Sequence, residues 1–295
     1  MSSSLSYRPD IDGMRAIAVI AVVLFHLDIA MLAGGFVGVD VFFVISGYLI
    51  TSIIWSKKAA DKFSLKDFYL GRVRRLLPPL YVTVFATFIG AAFIMVPEDF
   101  ARFSRSAIAA IFSVSNINFY LEAGYWDTAS HLKPLLHTWS LGVEEQFYLI
   151  WPVFVLFCAT ILRRLSFLAI LLATSVIGFA VTWWYTGIDP SGAFYLFPFR
   201  IFQFAFGAFV AFAARDKLLQ PLLTNKLATD ALTLSGIAIT IACCFLYDGE
   251  TPFPGLYALP PTLGAGLMLI GGSQGRLGIV SQNLLTNPVS TFLGR

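Results

Sequence analysis

Arg15 and His26 stand eleven residues apart in the apolar run Gly13–Leu32, GMRAIAVIAVVLFHLDIAML. At 3.6 residues per turn that is close to three turns, so one helix face carries both, about 16 Å apart along the axis. A guanidinium and an imidazole inside an apolar span are costly there, and the default reading is function. The Arg suits an anionic ligand. The His suits a general base or a nucleophile. The bland alternative is a snorkelling Arg at a helix end and a His bonded to a neighbouring helix.

Three further groups could do chemistry. Arg72, Arg74 and Arg75, in FYLGRVRRLLPPLYV, suit phosphate recognition, although basic residues beside a span also set topology and meet anionic lipid. In HLKPLLHTWSLGVEEQFYLIWP, a helix would put His137 and Glu144 on one face for acid–base work. The competing reading is an interfacial cap, with Trp139 and Trp151 as belt anchors. Asp40 and Arg200 lie near the same ends of their spans, and each is a candidate partner for the other. Tyr125, Trp126 and Trp139 have rings that suit belt anchoring at the membrane interface. Cys158, Cys243 and Cys244 sit in apolar runs and read as packing residues, and no metal-ligand spacing is present.

The elements that position these residues are membrane helices. Hydrophobic residues make up 58% of the 295-residue chain, charged residues 13%, and the mean hydropathy is +0.78. A soluble domain carries about 25% charge. The net charge of +3 gives no nucleic-acid signal. The fold class expected is all-α, a polytopic bundle of about eight spans near 14–32, 36–55, 80–96, 139–162, 167–185, 199–215, 228–247 and 256–272. The third is expected to start after a break at Pro78-Pro79.

Lysine and arginine set the expected orientation. Lys57, Lys58, Lys62, Lys66, Arg72, Arg74 and Arg75 face only Asp61 and Asp67 between the second and third spans. That loop is expected in the cytoplasm, together with the N-terminus. Residues 107–121 are short and carry Ser113, Ser115, Asn116 and Asn118. If they spanned, Arg163, Arg164, Arg215, Lys217 and Lys226 would all fall outside. A re-entrant or interfacial segment on the outer side is therefore expected. His26, His137 and Trp126 then face the outer side.

Five runs, in order, resemble the acyltransferase-3 family of bacterial integral-membrane O-acyltransferases: YRPDIDGMRAIAV with its Arg-to-His spacing, GGFVGVDVFFVISGYLI, FYLGRVRRLLPPLY, PLLHTWSLGVEEQFYLIWP and FPFRIFQFAFGAFVA. The resemblance covers essentially the whole chain, so residues 1–295 are expected to form one transmembrane acyltransferase domain. It implies transfer of an acyl group, most often acetyl, from cytoplasmic acyl-CoA to an envelope glycan such as lipopolysaccharide O-antigen or peptidoglycan, in the bacterial inner membrane. It implies acetyl-CoA as donor and no metal. The family's activity-linked pair falls on Arg15 and His26, its arginines on Arg72, Arg74 and Arg75, and its WSLxVE element on Trp139 to Glu144. With these, His26, Glu144 and Asp40 are the expected catalytic residues. Arg15, Arg72, Arg74 and Arg75 are the expected acyl-CoA ligands, and Trp126, His137, Trp139 and Arg200 the acceptor contacts. Relatives continue into further spans, and many carry an SGNH-type domain outside the membrane; neither is expected within these residues. Two rival classes remain, a proton-coupled transporter and a glycan-presenting platform.

Overall fold

A computed structural model describes residues 7–123, 133–161, 164–214, 223–273 and 278–295. The described residues are helical, with no strand. Thirteen α-helices follow in order. They are α1 Pro9–His26, α2 Gly38–Ala59, α3 Leu65–Ile94, α4 Pro97–Ile111, α5 Ser115–Glu122, α6 Thr138–Ile161, α7 Arg164–Thr186, α8 Pro190–Tyr195, α9 Ile201–Ala213, α10 Lys226–Leu246, α11 Leu259–Gly271, α12 Ile279–Leu285 and α13 Pro288–Leu293. Among the described residues, five stretches are long and apolar enough to cross a membrane: Gly35–Ala59, Leu65–Ile94, Thr138–Ile161, Ser166–Thr186 and Lys226–Leu246. The sixth and eighth expected spans are shorter apolar helices, and α1 ends at His26 rather than running on to Leu32.

Two expectations about helix limits change. No break occurs at Pro78-Pro79, and α3 runs through both. Prolines are tolerated inside membrane helices, where local adjustments accommodate the missing N–H groups, and the helix resumes at once, with Thr83 Oγ1 adding a donor to Pro79 O at 2.9 Å. Residues 107–121 fall on two helices, the end of α4 and most of α5. They meet at Ser113, whose φ of 58° breaks the helix.

The centre is built from α2, α6 and α9, which run parallel. Phe43 meets Trp139 and Thr51 meets Trp151 between α2 and α6. Asp40 meets Arg200 and Trp55 meets Phe212 between α2 and α9. Aromatic rings fill the seams, with Phe147 stacked on Phe204 at 4.2 Å between centroids. Antiparallel to α2, α1 packs where Gly38 meets the carbonyl of Ala18. Antiparallel to α6, α3 packs with Tyr69 Oη donating to Leu149 O at 2.8 Å.

This alternation gives the bundle two ends. One holds the end of α2, the short turn after it and the start of α3, with the basic residues from Lys57 to Arg75. The other holds His26, the start of α2, the end of α3 and the start of α6.

Gly47 and Gly207 let α2 and α9 touch backbone to backbone, and a Cβ on Gly47 would clash with the Phe204 carbonyl. Gly47→Ala is expected to push the two helices apart at a cost of about 1–3 kcal/mol. Thermal unfolding in detergent would show this as a lowered midpoint.

Candidate functional site

Helix α1 links two stations. The first is a cavity of about 170 Å³ lined by Arg15, Ser46, Arg72, Arg75, Glu144 and Tyr148 among apolar neighbours. Arg72 and Arg75 are three apart on α3 and share a face. Arg74, between them, is turned to the other side and exposed, so the cavity takes two of the three clustered arginines. The Arg72 guanidinium lies over the rings of Phe68 and Tyr148, 5.6 Å from each centroid. Among the described residues its Nε is buried without a hydrogen-bond partner.

Glu144 is the anion of this cavity. Tyr148, one turn further along α6, donates its hydroxyl to Glu144 Oε2 at 2.5 Å and also meets Ser46 Oγ at 3.3 Å. Arg15 and Arg72 lie close enough to attract the same carboxylate. Three guanidiniums and one carboxylate leave a net positive cavity that fits an anionic ligand. Sequence reading missed Tyr148 and Ser46, because neither is charged. The signal available for Tyr148 was its i,i+4 spacing from Glu144.

The second station is the end of α1, about 16 Å from Arg15 along the helix. There His26 Nδ1 lies 2.8 Å from the carbonyl oxygen of Val22, and the residue is exposed. A carbonyl only accepts, so Nδ1 carries a proton, and in the neutral ring Nε2 is the nitrogen with the lone pair. A backbone carbonyl, not a carboxylate, therefore orients the ring. Glu144 instead faces the arginine cavity, and Asp40 is buried elsewhere.

His137 stands at the same end, in the turn before α6. It is exposed, yet desolvation by the surrounding protein lowers its imidazole pKa, and the neighbouring His26 lowers it further. Both effects favour the neutral ring. Helical spacing does not join His137 to Glu144, because α6 starts only at Thr138; the two serve different stations.

Asp40 and Arg200 form a third, closed group. Arg200 Nη1 lies 3.2 Å from Asp40 Oδ1 and both side chains are almost wholly buried. Gln203 also donates to that carboxylate. Arg200 Nε donates to Phe194 O at 2.9 Å, and its guanidinium lies 5.0–5.6 Å from the ring centroids of Phe194, Phe253 and Trp139. The expected acceptor contacts Arg200 and Trp139 are thus core residues. The indole of Trp139 is covered by Phe194, 4.5 Å away, and by Arg200. Trp126 and Tyr125 lie outside the described residues, as do Arg163, Arg215 and Lys217. Groups of three or more His, Cys, Asp or Glu side chains able to hold a metal are absent among the described residues.

Known proteins resemble this chain over most of its length. The acyltransferase domain family, acyltransferase-3, matches residues 8–295. Peptidoglycan O-acetyltransferase OatA of Listeria monocytogenes is 37% identical over 298 residues, 97% of this chain and 45% of that protein. The putative peptidoglycan O-acetyltransferase YrhL of Bacillus subtilis is 34% identical over 84% of this chain and 40% of its own length. O-acetyltransferase OatA of Staphylococcus aureus is 35% identical over 83% of this chain and 41% of its own. The chain spans less than half the length of these curated relatives. No solved structure matches it.

Proposed function

Because the chain belongs to the acyltransferase-3 family, we propose that it moves an acyl group, most simply acetyl, from cytoplasmic acyl-CoA to a hydroxyl of an envelope glycan. The relatives' names favour peptidoglycan over lipopolysaccharide as the glycan. The membrane is the bacterial cytoplasmic membrane, with the N-terminus and the basic Lys57–Arg75 segment inside, by the positive-inside rule.

The observation that carries this reading is the placement of both stations on α1. The arginine cavity takes the phosphates of the coenzyme, and the unpartnered Arg72 Nε is one donor awaiting such an acceptor. The pantetheine arm runs along α1 and delivers the thioester to His26. Acyl-CoA then stays on the cytoplasmic side and the glycan stays outside.

The chemistry at His26 balances without a metal or redox partner. Nε2 takes the proton of the acceptor hydroxyl as its oxygen attacks the thioester carbonyl. The C–O bond forms, the C–S bond breaks, and the imidazolium returns the proton to the departing thiolate. Val22 O holds the tautomer that makes Nε2 the base.

Arg15→Lys is expected to raise the KM for acyl-CoA about tenfold and to leave the acceptor KM unchanged, because a lysine cannot fork a phosphate. The assay is steady-state transfer by the full-length protein in membrane vesicles. An unchanged acyl-CoA KM removes Arg15 from the phosphate site. Solute flux driven by a pH gradient, with no acyl ester formed, would replace this reading with a transporter.

A further inference from the structure

A second cavity opens at the histidine end, between the end of α3, helices α4 and α5, and the residues leading into α6. Its volume is about 280 Å³. Ligand clefts usually run from about 300 to 1,000 Å³, so this one suits a single ring rather than a chain. Its polar lining comprises Asp99, Arg102, Ser106, Glu122 and Lys133, with the Phe119 ring beside them.

The lining is ordered before any ligand arrives. Lys133 Nζ lies 3.4 Å from Glu122 Oε2 and 5.7 Å from the Phe119 centroid. Asn118 Nδ2 donates to Glu122 Oε1 at 2.8 Å and reaches Ser106 Oγ at 3.4 Å. Two carboxylates and two cations balance, so the cavity does not select an anion. What it offers is paired hydrogen-bond acceptors and donors beside exposed apolar side chains. A neutral polyhydroxylated ring needs both, and its C–H face packs on the exposed apolar wall of Ile94 and Val96.

The position ties this cavity to the transfer site. Pro134 lines it, and His137 hydrogen-bonds the Pro134 backbone while lying close enough to His26 for their charges to interact. One residue therefore stands between the cavity and the proposed base. The sequence carried no sign of it beyond the expectation of an outer segment near 107–121, since its lining comes from four separate elements.

Resting on the acyl-transfer reading above, we propose that the cavity lined by Asp99, Arg102, Ser106, Glu122 and Lys133 is the acceptor subsite, holding one neutral pyranose of the glycan while a neighbouring hydroxyl meets His26.

Two measurements on the full-length protein in membranes test this. In steady-state transfer to an N-acetylglucosamine tetramer, Glu122→Gln should raise the acceptor KM about tenfold and leave the acyl-CoA KM unchanged. An unchanged acceptor KM overturns the subsite. The second measurement needs no transfer. Arg102→Cys should react from outside intact cells with a membrane-impermeant maleimide, and the tetramer should slow that labelling at least threefold. Cys158, Cys243 and Cys244 are buried and add little background. Slowed labelling without any acyl transfer by the wild type would uphold the cavity and sink the acyltransferase reading. Normal transfer with labelling indifferent to the tetramer would uphold acyl transfer and sink the cavity.

Discussion

His26→Asn is expected to lower acyl transfer by about 100- to 10,000-fold with the acyl-CoA KM unchanged. The substitution is chosen for the geometry at the end of α1. The asparagine Nδ2 can donate to Val22 O much as the imidazole Nδ1 does, so the local hydrogen bond survives. What disappears is the basic nitrogen at Nε2. His26 is exposed at the last position of its helix, where a change away from the core costs within about 0.5 kcal/mol. The protein should therefore remain folded and in the membrane, and the loss should be one of kcat. Initial rates with full-length protein in vesicles, normalised to the amount of protein, measure this directly. A variant that keeps the wild-type rate would take the base away from His26 and pass that role to His137, which stands at the same mouth.

The part of this site that repeats along one helix was legible in the sequence. Arg15 and His26 are related by helical geometry alone, so their shared face and separation follow from counting residues. The same holds for Arg72 and Arg75, where the three-residue step also explains why Arg74 falls outside the cavity. Contacts between helices were legible only where charge demanded them: Asp40 and Arg200, two charges near the same ends of their spans, were candidate partners, and they pair across 160 positions. Trp139 fitted an interfacial belt by its place at the start of a span, yet the packing of α8 against α6 buries it. His137 and Glu144 were joined by assuming a helix that starts one residue too late to include the first. The Pro78-Pro79 pair read as a break because a proline lacks its N–H and crowds the preceding turn. In α3 both prolines are exposed, on a helix that the rest of the bundle covers only sparsely, so little packing resists the adjustment.

Asp40→Asn is expected to cost about 3 kcal/mol of stability, at the lower end of the 3–5 kcal/mol for breaking a buried ion pair. The guanidinium of Arg200 would remain buried with its counter-charge gone. The Phe194 carbonyl and the three surrounding rings would hold it only in part. The amide oxygen keeps a hydrogen bond in place, so the deficit is one of charge rather than shape. Replacing both partners, as Asp40→Leu with Arg200→Leu, should damage the fold less than either single change, because no unpaired charge is then left inside. Thermal unfolding of the full-length protein in detergent reads both effects. Neither residue lines the arginine cavity, so the fraction that stays folded should bind acyl-CoA as the wild type does. If Asp40→Asn instead keeps the wild-type midpoint and loses transfer, the carboxylate acts in the chemistry, and the core pair cannot be only a brace between α2 and α9.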